Sequence, residues 1–285
     1  MGPLIREFGL INQHQSKFYF DLSDSTTHYG DRLFFLPLID SLVKKGCTIT
    51  LSNKDFFTNQ LLLTLCGYEL SQSELPAMDD LIIIPQPSYL HCRNRYRSGI
   101  LINFSDSSSK KGIAYQLVDS FKKYFSLQID CTRLLLDKNK APHSALLPDG
   151  ANYFLFSNYI ISGGFRRLFV DEGKLHSQCV AMHKMGFKIV HIGSLNDIQS
   201  DNRSYDYVDI DLRGTLTISQ LIELALDSRV NGAICYDNFL MHLMGICNKK
   251  SYVLFRGRLR QNAARHHIMH VNNTFYENEI LLSYL

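Results

Sequence analysis

Gly232-Ala-Ile-Cys-Tyr236, then Asp237-Asn238, then Phe239-Leu-Met-His-Leu-Met-Gly245 is an apolar run, a polar pair and a second apolar run. The first run predicts a strand buried on both faces, the last the start of a helix, and the polar pair the turn between them. The same order extends to either side. Ser219 to Arg229 reads as a helix before it and Ser251 to Phe255 as a strand after it. Further upstream come short strands at Tyr153 to Phe156 and Tyr159 to Ile161, then a helix from Gly173 to Met185 stopped by Gly186. A strand from Lys188 to Ile192 is stopped by Gly193, and the tail from Thr274 to Leu285 reads as a terminal helix.

The N-terminal half follows the same plan. Phe18-Tyr-Phe-Asp-Leu22 predicts a strand, followed by a Ser/Thr/Asp/Gly loop and a helix from about Arg32 to Lys45 that ends at Gly46. Strands follow at Cys47 to Leu51, Asp80 to Ile84 and Ile100 to Phe104, with helices at Phe56 to Cys66 and Ile113 to Phe125. Apolar strands alternating with helices argue for parallel sheets covered on both faces. Between Asp137 and Gly150 the pattern lapses into Lys, Asn, Pro, His, Ser and Asp, which predicts a linker. The expected organisation is therefore two α/β domains, 1–147 and 148–285. In such sheets ligands bind outside the carboxyl ends of the strands.

Composition excludes several classes. The 285 residues are 45% hydrophobic, enough to bury a core in each half, and 30 basic against 27 acidic residues leave a net charge of +3. That balance does not point to nucleic acid. No run reaches the ~18 apolar residues of a membrane-spanning helix. The first residues carry charges and lead into no apolar run with a small-residue cleavage site. The seven cysteines are scattered and form no C-x-x-C pair, so reduced thiols, no zinc site and a cytosolic location are expected.

Three stretches could carry chemistry. Asp31 stands at the end of the loop Ser23-Asp-Ser-Thr-Thr-His-Tyr-Gly-Asp31, at the carboxyl edge of a sheet and the positive end of a helix dipole. Read alone, it is a helix cap before it is a catalytic group. Asp237 and Asn238 stand where the chain turns into a helix whose N–H groups could take a phosphate, with His242 a turn further on. An Asp cap and a core histidine would give the same letters. Ile160-Ile-Ser-Gly-Gly-Phe-Arg-Arg167 places Arg166 and Arg167 after a Gly-Gly turn, a pattern suited to an anion but neither a P-loop nor a dinucleotide fingerprint. Two basic clusters, one with Arg93, Arg95 and Arg97 and one between Arg256 and Arg265, could meet an anionic acceptor or be solvated surface. His266-His267 has no carboxylate or cysteine at metal spacing.

Together these pieces resemble the heptosyltransferase-type family of GT-B glycosyltransferases, family 9. The N-terminal match is Ser25 through Gly30-Asp31 and then Leu36-Pro37-Leu-Ile-Asp-Ser-Leu42. The C-terminal match is Asp211-Leu-Arg-Gly-Thr-Leu-Thr-Ile-Ser-Gln-Leu221, Cys235-Tyr-Asp-Asn-Phe-Leu-Met-His-Leu243 and Val253-Leu-Phe-Arg-Gly257. The resemblance implies a GT-B fold, two Rossmann-like α/β domains facing a cleft, with a nucleotide-sugar donor in the C-terminal domain. It implies that Asp31 is the general base for an acceptor hydroxyl on a bacterial surface glycan. Asp237, Asn238 and His242 fall on the family's donor-diphosphate motif. Arg166 and Arg167 fall on its phosphate-holding basic position, and Asp197 falls near its ribose. It implies inverting transfer without metal or other cofactor, ADP-heptose being the family's donor, and at most peripheral membrane contact. Phe239 stands where the family carries Gly and Asn238 where it carries Thr. Those departures keep two other readings in view: a nucleotide-sugar hydrolase or epimerase on the same fold, and a non-catalytic binding subunit.

Overall fold

The computed structural model describes residues 5–11, 15–23, 29–85, 95–102, 111–131, 134, 142–158, 172–200, 202–254, 274–275, 277 and 279–281. They belong to two units, Met1–Leu135 with His270–Tyr276 and Leu136–Met269 with Glu277–Leu285.

The N-terminal unit is built on β1 (Ile5–Phe8), β2 (Lys17–Phe20), β3 (Thr48–Ser52), β4 (Ser71–Ser73), β5 (Leu81–Pro85) and β6 (Gly99–Ile102). They lie in the order β1-β6-β5-β2-β3-β4. All pairs are parallel except β1 with β6. The apolar run of β5 is buried along its whole length, as a central parallel strand requires. Helices α1 (Tyr29–Lys44), α2 (Phe56–Cys66) and α3 (Ile113–Phe125) belong to this unit. α3 seats Phe121 and Phe125 against Phe18 of β2, with ring centroids 6.4 and 5.5 Å away. A segment from far along the chain completes it. The Thr274 carbonyl accepts from Ala114 N–H at 3.0 Å, and the fully buried Phe275 meets the Tyr115 ring edge-on. A Cβ on Gly112 would fall 2.7 Å from that Thr274 carbonyl oxygen, so the approach depends on glycine.

The C-terminal unit has β7 (Tyr153–Ser157), β8 (Lys188–His191), β9 (Ile210–Asp211), β10 (Val230–Tyr236), β11 (Lys250–Leu254) and β12 (Glu279–Leu281). Their order is β12-β11-β10-β7-β8-β9 and every pair is parallel. Four helices accompany them: α4 (Glu172–Lys184), α5 (Leu195–Ser200), α6 (Ile218–Leu226) and α7 (Phe239–Ile246). α6 opens on a complete capping box between Thr217 and Gln220. In each sheet the strand order reverses once, between β2 and β5 and between β7 and β10. At such switch points the loops leaving the two strands diverge and leave room for a ligand.

Three expectations need correction. α1 begins at Tyr29, ahead of the expected Arg32. The end of the tail contains a strand rather than a helix, because Glu279, Ile280 and Leu281 pair with Ser251, Tyr252 and Val253 at the edge of the sheet. A short apolar run cannot by periodicity alone tell a strand from a helix, and the open edge of β11 decides it. The third concerns the polar stretch read as a linker. Its described part, from residue 142, is fastened into the C-terminal unit. The Arg229 guanidinium donates to the carbonyls of Ser144 and Leu147, both at 2.8 Å, and to Asp149 at 2.9 Å. The buried Asp227 carboxylate accepts from Ser144 N–H at 2.8 Å and from Arg229 Nη2 at 2.7 Å.

Candidate functional site

In the N-terminal unit the earlier helix start changes the reading of Asp31. As the third residue of α1 it lies inside the first turn, not at the N-cap position. The position still favours an ionised carboxylate, since the helix macrodipole is positive there. Asp31 is partly exposed, whereas its neighbour Arg32 and the ten residues after that are buried.

Around this turn lies a set of charges that the sequence reading passed over. Arg32 Nη1 donates to Asp55 Oδ1 at 2.8 Å, and the Arg32 guanidinium carbon lies 5.9 Å from the centre of the Phe57 ring. Asp55 follows β3 and caps α2 by accepting from Thr58 N–H at 3.3 Å. Burial pushes its carboxyl above the ordinary aspartate value, against the opposing pull of Arg32. Asp21, immediately after β2, is also buried. Its Oδ1 accepts from Ser23 Oγ at 2.5 Å, and its Oδ2 from the Tyr96 hydroxyl at 2.7 Å and Arg95 Nη1 at 3.3 Å. Burial, then the hydrogen bond to Asp21, holds the Tyr96 hydroxyl well above its ordinary value, so it stays a donor. The signal for Asp21 was available: an acidic residue ending an apolar strand has to find partners.

Arg95, expected to meet an acceptor, is otherwise engaged. Besides Asp21 it donates to the Glu74 carbonyl at 2.5 Å, and so holds the chain around the end of β2. Arg97 is exposed. Arg93, Arg166, Arg167 and the arginines from 256 to 265 lie outside the described residues.

In the C-terminal unit the turn after β10 follows the expected strand–turn–helix form. Asn238 caps α7, its Oδ1 accepting from Leu240 N–H at 3.0 Å. Its Nδ2 donates to Ser157 Oγ at 3.2 Å. Ser157 ends β7, so this bond spans the switch point of the sheet. The cap uses one N–H that a phosphate could otherwise have taken, and Asp237 beside it is partly exposed. His242 is buried within α7, and burial pushes its pKa down to about 3. It is therefore a neutral imidazole at physiological pH. Because the unfolded chain takes up that proton near pH 6.5 and the folded one near 3, His242 contributes stability that is lost as pH falls between them. The loss approaches about 1.4 kcal/mol per pH unit.

Asp197 lies in the first turn of α5 and turns back to accept from the Ser194 N–H. Burial raises its carboxyl, and a Cβ on Gly193 would fall 2.6 Å from its Oδ2, so glycine is needed there. That contact belongs to the start of the helix and uses Oδ2, while Oδ1 is buried without a hydrogen-bond partner. Beside it at the same edge, Asn158 links His191 Nε2, at 3.0 Å, to the Tyr205 hydroxyl, at 3.1 Å. Among the described residues no group of three His, Cys, Asp or Glu side chains could hold a metal ion, and no helix is long and apolar enough to cross a membrane.

No family model matches this chain, and no curated protein matches it in sequence. Solved structures do. A glycosyl transferase of family 9 from Veillonella parvula superposes with a TM-score of 0.58 over 95% of this chain and 86% of that one, at 12% identity. The E. coli heptosyltransferase WaaC, solved with ADP-2-deoxy-2-fluoro heptose, gives 0.56 over 93% and 92%, at 11% identity. The fold is GT-B. A third similar structure is the dodecameric iron-containing heptosyltransferase TibC in complex with ADP-D-beta-D-heptose, with a TM-score of 0.55 and 10% identity over 95% of this chain and 64% of that one. Within the GT-B fold each unit contributes one switch point, and Asp31 and the Asp237–Asn238 turn follow strands at those points.

Proposed function

We propose that this chain is an inverting glycosyltransferase that binds a nucleoside-diphosphate sugar in its C-terminal unit and activates an acceptor hydroxyl with Asp31. The observation that carries the reading is a coincidence of position: the two motifs singled out in the sequence follow β2 and β10, beside the strand reversals of a GT-B fold. The diphosphate would lie against the first turn of α7, with His242 as a neutral hydrogen-bonding group and Arg166 or Arg167 supplying charge. Helix N–H groups and arginines neutralise a leaving diphosphate without a metal. ADP-heptose is the first donor to test, since WaaC and TibC were solved with that sugar nucleotide or its fluoro analogue. The acceptor is a glycan hydroxyl, and the exposed Arg97 suits an anionic one.

Calorimetric titration of ADP and ADP-heptose into the full chain tests the donor half of the reading. Binding of neither would overturn it for this nucleotide. His242→Ala should weaken ADP by about 0.5–1.5 kcal/mol, the range for an uncharged hydrogen bond. Wild-type affinity for ADP-heptose, whose diphosphate does not titrate in this range, should also stay level from about pH 7.5 down to 5.5, where an ordinary histidine would gain charge. A steep rise in affinity over that range would show that a protonated imidazole is at work. Release of ADP from ADP-heptose without any acceptor, as fast as with one, would identify a hydrolase instead.

A further inference from the structure

We infer that the buried Arg32–Asp55 ion pair is a positioning device for Asp31, fixing the first turn of α1 against the loop between β3 and α2. The inference rests on the reading of Asp31 as the acceptor-activating base.

Three observations carry it. Arg32 directly follows Asp31, and its side chain and that of Asp55 are 10% and 0% exposed, so the pair is held away from water at 2.8 Å. Asp55 is itself fixed twice, by its own N–H donating to the Ser52 carbonyl at 2.9 Å and by its carboxylate capping α2. The other end of the Asp31 loop is fastened by the same means, where Asp21 meets Arg95, Tyr96 and Ser23. Both ends of the connection between β2 and α1 are thus anchored by buried carboxylates. A buried ion pair is a poor way to gain stability, because desolvation offsets most of the attraction and an apolar pair does as well. It does restrict geometry, since one short bond from Arg32 Nη1 to a carboxylate that is itself fastened to α2 ties the first turn of α1 to that loop. A base must stand within hydrogen-bond reach of its proton, and displacement by about 1 Å can cost 10²-fold in rate. Arg32 and Asp55 are positioning residues in this account, not catalytic ones.

The test compares Arg32→Lys, Asp55→Asn and the double variant Arg32→Met with Asp55→Asn, reading ADP release from ADP-heptose with methyl heptoside as acceptor. Asp31→Asn serves as the control. The double variant removes both charges and keeps an α2 cap, so its melting temperature should recover most of what Asp55→Asn alone costs. Its kcat should nevertheless stay about 10- to 100-fold below wild type, with KM for ADP-heptose unchanged. Arg32→Lys, which keeps the charge but loses the fork, should fall between. Recovery of kcat along with melting temperature in the double variant would overturn the inference and leave the pair a structural one. If Asp31→Asn itself keeps wild-type turnover, the reading of Asp31 fails, and this inference fails with it.

Discussion

If Asp31 is the acceptor-activating base proposed above, an Asp31→Asn variant will turn over ADP-heptose roughly 10²–10⁴-fold more slowly than wild type, the usual contribution of a general base. Donor affinity and melting temperature should hardly change. A sugar hydroxyl is far too weak an acid to attack the anomeric carbon while it keeps its proton, so inverting transfer needs a carboxylate to accept that proton as the nucleotide leaves. Asn preserves the volume of the side chain and cannot accept the proton. The structural cost is small because Asp31 is partly exposed and lies inside the first turn, not at the cap. What is lost there is one favourable charge at a helix N-terminus, worth about 0.3–1 kcal/mol. Steady-state kinetics, calorimetry with ADP and thermal melting on the same preparation separate the two effects. Wild-type turnover in the Asn variant would remove Asp31 from the mechanism.

Arg229→Met will destabilise the C-terminal unit by about 3–5 kcal/mol, the cost of leaving a buried charge without its partner. The Asp227 carboxylate is fully buried and takes two hydrogen bonds from this guanidinium, at 2.7 and 3.1 Å. The same side chain also satisfies the Ser144 and Leu147 carbonyls. Denaturant melts should show a lower midpoint, and the melting temperature should drop by roughly 10 °C for a unit of this size. The pH dependence gives a second check. In the wild type burial alone would raise the Asp227 carboxyl, but the hydrogen bonds from Arg229 and from Ser144 N–H outweigh it and hold the group below its ordinary value. Its contribution is therefore complete above about pH 4 and is lost as pH falls through the native value. Without Arg229 burial dominates and the carboxyl moves up, so acid relieves the variant while it harms the wild type. The stability gap between them should begin to narrow above about pH 4, as pH falls through the variant's raised value, and continue to narrow below it, and a gap that widens on acidification would contradict the assignment.

Most of the fold was legible because its central strands are apolar on both faces and α1, α2 and α4 stop at or just before Gly46, Gly67 and Gly186. α2 and α3 run between the residues expected, Phe56–Cys66 and Ile113–Phe125. The elements missed were the short and polar ones. β4 is Ser-Gln-Ser, with no apolar face to give it away, and β9 is a two-residue bridge at the sheet edge. The site was less legible than the fold. Asp31, Asp237 and Asn238 could be found because they punctuate strand-to-helix turns, a local pattern. Asp21 with Arg95, and Arg32 with Asp55, are separated by 74 and 23 positions, and no spacing rule joins them. Arg95 was read as a group for an anionic acceptor for the same reason: three arginines close in sequence look available until a buried carboxylate claims one of them.

The segment that completes the N-terminal unit has a consequence for how the protein is made. Thr274 and Phe275 sit against α3, and only four residues later Glu279 enters the other sheet. Each unit therefore waits for chain that is synthesised after the rest of it. A ribosome that has finished β6 and α3 has released a body still exposing the surface reserved for Phe275, and the edge of β11 stays open until Leu281 has emerged. Folding cannot be completed one unit at a time as translation proceeds, so a chain stalled or clipped before residue 274 would carry an exposed apolar patch in one half and an unpaired strand edge in the other. Those are the features that lead incomplete chains to aggregate.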